Sequence, residues 1–522
     1  MDSTTLSLLL MGIAIFLYYI YNSYNYWSKR GIPTAKGVIP PFGNIFSILL
    51  LRDNLSTLGT KYYKTYSQYS MVGFYNMRAP VLILREVELI KCVLQTSFGS
   101  FHDNGLKMNA ELDPLMIKNP FFNFGEEWST GRKRLTYAFS NMRLKVLFES
   151  IKGVNRKFID FLERKLESTG TYEIELKSLF SRYTGEVVAN AGLGVEGFCF
   201  EDKPHPSSFQ VIGESFFEPN LYNGIVQTLT FFLPMLNKIF RRPFVPTKVD
   251  RFFREIVRNS LETRKTETIR RNDFLQLMMD MEKTEGEKID EEVLAAHALS
   301  FFVDGYETSS ISLSFIGYQL AVHQDIQEKL REEVLSVMAK NDGMLTFDGV
   351  KEMKYLDQVI SESQRVYPPL GTLSKICTED YKLQGSDGLT CSIKTGTEIV
   401  VPAFGLHMDP RYWTDPETFD PDRFSDERKN SVEKYAYLPF GEGPRMCVGM
   451  RMGLLQMKCC VATVLSKYKL ELSPKTRLPI KLATNTFLTA AEGGLWVKIK
   501  LQYSIQLAVK YQQLFMQCRV FR

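Results

Sequence analysis

From Leu6 to Tyr21 the chain is almost wholly apolar, and no charged residue occurs between Ser3 and Ser28. A helix of ~20 residues crosses a hydrocarbon layer of roughly 30 Å, so residues 1–28 are expected to form a transmembrane anchor. Tyr24, Tyr26 and Trp27 follow as an expected interfacial belt, then Lys29, Arg30 and Lys36. Positive charge on that side keeps the remainder cytosolic. A cleavable signal peptide is disfavoured, because no Lys or Arg precedes the apolar run and tyrosines stand where a small-residue cleavage site belongs. Pro33, Pro40, Pro41 and Gly43 predict a stiff hinge over 29–44.

Downstream, helical periodicity covers Trp128 to Leu147, Val154 to Leu166, Val249 to Thr263, Asp290 to Val322, Ile326 to Met338, Leu356 to Val366 and Met450 to Leu465. Strand-like alternation is confined to Met71–Phe74, Val81–Leu84, Glu398–Val401 and the far C-terminus. The expected fold is mainly α with small β-sheets. Val293 to Val322 is long and nearly uncharged, but His297, Asp304, Glu307 and several serines interrupt it, which predicts a buried core helix and not a second membrane span. Thr228 to Phe240, ending in Arg241 and Arg242, fits either a core helix and loop or a segment dipping into a membrane surface. A folded body is expected over 45–500 and an extension over 501–522. Alternation from Val497 to Leu507 is expected to lengthen an edge strand, with disorder or a loose helix beyond Tyr511.

Composition adds little to this picture. The 64 Lys and Arg against 59 Asp and Glu leave a net charge of +5, too small a bias to argue for nucleic acid. The 8 cysteines are scattered and form no framework, which favours a reducing compartment.

Cys447 is different. It lies in Pro439-Phe440-Gly441-Glu442-Gly443-Pro444-Arg445-Met446-Cys447-Val448-Gly449, ahead of a helical run. Glycines permit tight turns and close approach to a flat ligand, and a thiolate there accepts backbone N–H groups and faces the positive end of the helix. Arg445 is placed to meet an anionic group of the same ligand. With no C-x-x-C or His cluster nearby, a zinc site or iron–sulfur cluster is poorly supported. An iron already held in a macrocycle needs only one such ligand.

The pattern F-x-x-G-x-R-x-C-x-G, met by Phe440, Gly443, Arg445, Cys447 and Gly449, resembles the haem-binding loop of the cytochrome P450 (haem-thiolate) monooxygenases. Other motifs follow in that family's order, from about Pro33 to Lys500, closest in tone to insect microsomal members. Asp304-Gly305-Tyr306-Glu307-Thr308 is similar to the oxygen-binding groove, where an acid–Thr pair relays protons. Helical offsets are expected to bring Glu307 and Thr308 beside Asp304 on one face. Asp304 departs from the family, which has a small residue there, and is expected either to tune the proton path or to turn away and cap a local distortion. Glu362 and Arg365, with Arg423, resemble a buried structural Glu-Arg-Arg core. Trp128 and Arg132 resemble a propionate clamp, joined by Arg445 and by Lys375, which stands where many relatives have Arg. Lys133 and Arg134 suit an acidic partner.

The resemblance implies a cytochrome P450 fold behind the anchor, with haem b (iron protoporphyrin IX) bound through Cys447. It implies insertion of one atom of O2 into a lipophilic small molecule. No dinucleotide or flavin motif is visible, so electrons are expected from NADPH through a membrane-bound NADPH–cytochrome P450 reductase, with cytochrome b5 as a further candidate donor. The endoplasmic reticulum membrane is the expected location. Peroxide isomerases or dehydratases related to the family, and a haem-dependent sensor, are the alternatives. The expected pocket, near Phe101–Leu115, Val211–Ile225, Leu299–Thr308, Leu370–Ser374 and Thr486–Leu488, does not name the substrate.

Overall fold

A computed structural model describes residues 3–502 apart from 168, 268–270 and 285–289. The expected extension beyond 502 therefore lies outside the described residues. Helix α1, Ser3–Ser23, is apolar on every side and exposed. Its segment Thr4–Ser23 has mean hydropathy 1.8 and, among the described residues, is the one helix long and apolar enough to cross a membrane.

Among the described residues the body is helical with three small sheets. In chain order the strands are β1 (Met71–Asn76), β2 (Ala79–Leu84), β3 (Asp103–Asn104), β4 (Thr171–Glu175), β5 (Leu373–Ile376), β6 (Tyr381–Gln384), β7 (Thr390–Ile393), β8 (Glu398–Val401), β9 (Tyr468–Leu472) and β10 (Trp496–Leu501). The larger sheet has the order β1-β2-β8-β5-β3. Within it β2 and β8 run parallel, with Val81 opposite Glu398, and the other pairs are antiparallel. β6 and β7 form a hairpin, and β4-β10-β9 form the third sheet. β10 is thus a central strand and not the edge strand expected from its alternation, because β4 and β9 occupy both of its hydrogen-bonding sides.

Trp27 does not belong to an interfacial belt. Its side chain is wholly buried, the indole donates to the Phe74 carbonyl at 3.0 Å, and the ring lies where a Cβ on Gly73 would come within 2.2 Å. Only glycine at 73 admits that ring. The proline-rich segment lies along β1: Ala35 N–H donates to Gly73 C=O and Gly73 N–H to Pro33 C=O, both at 2.8 Å, and Asn44 N–H donates to Tyr75 C=O at 2.9 Å.

Helices α2 (Gly125–Ala138) and α3 (Asn141–Leu166) break at Phe139–Ser140, where the pattern suggested one continuous helix. α3 then runs unbroken through Gly153, because Leu144, Leu147, Phe148, Ile151, Val154 and Phe158 bury one stripe at helical spacing. Tertiary packing along that stripe outweighs the glycine penalty of ~1 kcal/mol. α4 (Leu176–Val187), α5 (Leu221–Phe231) and α6 (Pro234–Phe240) follow, and then α7 (Glu291–Val322) crosses the core. Asp290 caps α7 by accepting from the N–H groups of Glu292 and Val293. Leu294, Ala298, Leu299, Phe302 and Leu313 are buried on several sides of it, as expected of a helix surrounded by protein. α8 (Lys354–Val366) and α9 (Met450–Lys467) complete the frame beneath it.

Candidate active site

The loop before α9 turns at Gly441 (φ 67°) and Gly443 (φ 77°), a left-handed backbone that other residues adopt with strain. A Cβ on Gly443 would also lie 1.9 Å from the Leu94 carbonyl oxygen. Cys447 N–H donates to Phe440 C=O at 2.8 Å, closing the loop on itself. The surface that Cys447 exposes belongs to an internal cavity of about 360 Å³, so its thiol is remote from bulk solvent. That depth pushes the thiol up to about 11, against the lowering effect of the Gly449 and Met450 N–H groups and of Arg132.

Below the loop is a buried ion cluster. Arg365 donates bidentately to Glu362, both bonds at 2.8 Å, and both side chains are fully buried. Arg423 adds a contact to the same carboxylate at 3.4 Å and donates to the carbonyls of Thr414 and Asp415. His407, which no sequence motif singles out, supports the approach to the loop: its Nε2 accepts the Leu438 N–H at 2.8 Å.

Trp128, Arg132, Lys375, Phe440 and Arg445 all line the cavity with Cys447. The cations are anchored by carbonyl groups. Arg132 donates to Met446 C=O at 2.6 Å, and Lys375 Nζ to the Asn104 side chain at 2.8 Å. Arg445 donates to the carbonyls of His102, Pro120 and Asn123, lies 4.2 Å over the Trp128 ring and contacts Asp103 at 3.4 Å. Burial lowers Lys375 to about 7, with the Arg445 charge adding to the effect, and lowers Arg445 to about 10. Three cations share one apolar pocket, so a bound anion relieves both burial and mutual repulsion.

These residues fit a haem. One thiol opens onto the cavity, and among the described residues no cluster of His, Cys, Asp and Glu could hold a metal by itself, so the metal must arrive with other ligands. The cations suit propionates. A Cβ on cavity-lining Gly449 or Gly453 would meet nothing within 4 Å, leaving open space against the loop.

On the opposite wall α7 corrects one expectation. Asp304 and Thr308 line the cavity, whereas Glu307 does not share their face. Its carboxylate turns to α4 and pairs with Lys177 at 2.7 Å. Residues three and four apart are both neighbours of Asp304, yet Glu307 and Thr308 themselves diverge by about 100° around the helix. Burial raises Glu307, and Lys177 opposes the shift. Thr308 Oγ1 donates to the Asp304 carbonyl at 2.5 Å. Asp304 does not turn away: it faces the cavity, where Asn119 Nδ2 donates to its two oxygens at 3.1 and 3.2 Å. Neither Asn119 nor Lys177 has a sequence signature, since each meets its partner only across the fold. Gln456 on α9 ties the walls together, donating to Ser309 Oγ at 2.6 Å.

The cavity also takes in Leu106, Gly224, Pro369, Leu370, Thr372, Leu373 and Thr486–Phe487, close to the expected segments, and adds Phe139, Phe231, Phe274 and His297. Residues 33–497 match the cytochrome P450 family model. The chain belongs to the cytochrome P450 family. It is 34% identical over 508 residues to a probable cytochrome P450 6a13 of Drosophila melanogaster, covering 95% of this chain and 99% of that one. It is 32% identical over 523 residues to cytochrome P450 9e2 of Blattella germanica, covering 94% and 97%. Cytochrome P450 proteins are haem-thiolate monooxygenases, and haem b is the cofactor of this one.

Proposed function

We propose that this cytochrome P450 is anchored by α1 in the endoplasmic reticulum with its body in the cytosol, and oxygenates a lipophilic small molecule. Electrons come from NADPH through the membrane-bound cytochrome P450 reductase, with cytochrome b5 as a second donor. The observation that carries this reading is the shared cavity: Cys447 stands on one wall, Thr308 and Asp304 on the other, and apolar and aromatic side chains lie between. When bound, haem supplies the dioxygen-activating redox chemistry, with a thiolate ligand favouring O–O cleavage.

In this reading Cys447 is the iron ligand, Arg132, Lys375 and Arg445 hold the propionates, and Trp128 and Phe440 wall the macrocycle. Thr308 Oγ1 delivers protons on the cavity side. Glu307 stands behind it and supplies protons when its Lys177 pair opens. Leu221, Tyr222, Met235, Ile239 and Phe240 on α5 and α6 are exposed, which supports contact of this edge with the membrane surface beside the anchor.

The test is Cys447→His in the full-length protein. The reduced, carbon-monoxide-bound wild type is expected to show the strongly red-shifted thiolate Soret band, and the variant to lose it. Retention of that band would remove Cys447 from the iron. Reductase-dependent NADPH consumption with oxygen and a panel of lipophilic compounds tests the electron source.

A further inference from the structure

Asp304 is an unusual group for an apolar pocket. Among the described residues, two carboxylates line the cavity, and the other, Glu442, is paired with Lys434 at 3.2 Å. Asp304 forms no ion pair among the described residues, and its hydrogen-bonding partner, Asn119, is neutral. Asn119 is fully buried and is itself oriented, since its Oδ1 accepts the Phe121 N–H at 2.7 Å. The carboxylate is therefore aimed, and each oxygen keeps lone-pair capacity toward the cavity.

The cavity cations do not complete it. Arg132, Lys375 and Arg445 are bound to groups around the Cys447 loop, where the propionates would engage them. His297, two turns earlier on α7 and also facing the cavity, is lowered to about 4 by burial and by the charges of Arg134 and Lys118, so it is neutral near pH 7. Burial alone raises the Asp304 carboxyl to about 7, opposed only by Asn119. A carboxylate in such surroundings is costly unless it meets a cation or strong donors. A positive charge on a molecule whose remainder is apolar would complete both the carboxylate and the pocket around it.

Resting on the monooxygenase reading above, we propose that Asp304 is a specificity-determining residue that selects lipophilic amines. Its carboxylate pairs with the substrate's ammonium while the apolar walls enclose the hydrocarbon. Paired in this way, the substrate is tethered to one wall with its hydrocarbon directed into the remaining space, so one charge governs which carbon is presented. A neutral substrate of the same shape gains the apolar contacts but leaves the carboxyl without its counter-ion.

The test uses benzyltrimethylammonium and its uncharged carbon isostere, neopentylbenzene. The quaternary nitrogen cannot ligate iron, so the pair isolates charge from coordination. Binding to the haem-loaded full-length protein in phosphatidylcholine nanodiscs is measured by equilibrium dialysis, corrected with empty discs, and by Soret shifts. Wild type is expected to prefer the cation, with that preference falling at least tenfold in Asp304→Asn and surviving in Asp304→Glu. Asp304→Ser replaces Asp304→Asn if the latter does not retain haem. Equal preference in wild type and the uncharged variant would overturn the proposal, as would tighter binding of the neutral isostere by wild type. The carbon-monoxide spectrum of the same wild-type sample separates the readings: a missing thiolate band sinks the haem-thiolate assignment, whereas a normal band with no charge preference sinks only the amine selectivity.

Discussion

The two walls of the cavity are built on opposite principles. On the Cys447 side, donors are spent on fixed acceptors of the protein: Arg132 on the Met446 carbonyl, Arg445 on three carbonyls, and Arg365 and Arg423 on the Glu362 carboxylate and the chain around it. On the α7 side Phe301 is joined by Phe139, Phe231 and Phe274 from other segments and by small polar groups of the helix, and Asp304 and Thr308 face space through which a ligand can pass. The first wall holds one geometry, because a cofactor must sit in one place. The second tolerates different occupants, because apolar contact is non-directional and only a few groups set orientation. A defect in the first wall should therefore appear as lost haem and stability, and a defect in the second as altered turnover in a folded protein.

The largest effect should come from Glu362→Gln. Removing one charge leaves Arg365 and Arg423 buried without their anion, a loss of about 3–5 kcal/mol for a broken buried pair. The expected result is poor haem retention and a lower urea midpoint. Wild-type haem content and midpoint would mean that the cluster does not hold the loop.

Acid should weaken the same wall through His407. Burial lowers this imidazole from 6.5 to about 3, and its Nε2 must stay unprotonated to accept the Leu438 N–H. Below about pH 6.5 the unfolded chain gains a proton that the folded chain refuses. The stability is therefore present above pH 6.5 and declines as pH falls toward about 3, by roughly 2 kcal/mol at pH 5. Comparison of urea midpoints at pH 7 and pH 5 should show a smaller drop for His407→Gln than for wild type. Parallel drops would exclude His407 as the source.

Thr308→Ala should produce the smallest structural effect, since its hydroxyl bonds back to its own helix at the Asp304 carbonyl. Haem content and stability are expected to stay near wild type, while more NADPH ends as peroxide and less as product. Unchanged coupling between NADPH oxidation and product formation would take Thr308 out of proton delivery.

Features governed by neighbours in the chain are legible in the amino-acid sequence. The Phe440 to Gly449 loop, the anchor pattern and the limits of α7 rest on turns, capping and local periodicity, which nearby residues impose. Contacts between distant segments are not legible there. Glu307 leaves the expected acid–Thr face because Lys177, 130 positions away, is brought against it by α4. Asp304 is held toward the cavity by Asn119, 185 positions away. Trp27 has the pattern of a membrane-belt residue, yet β1 offers it the space above Gly73. The amino-acid sequence by itself determined the apolar N-terminal helix, the mainly helical class, the thiol loop and thereby the family. Tertiary structure alone decided which way each carboxylate of α7 points, because one helix has several buried faces and the charge or amide waiting at each is supplied by another part of the chain.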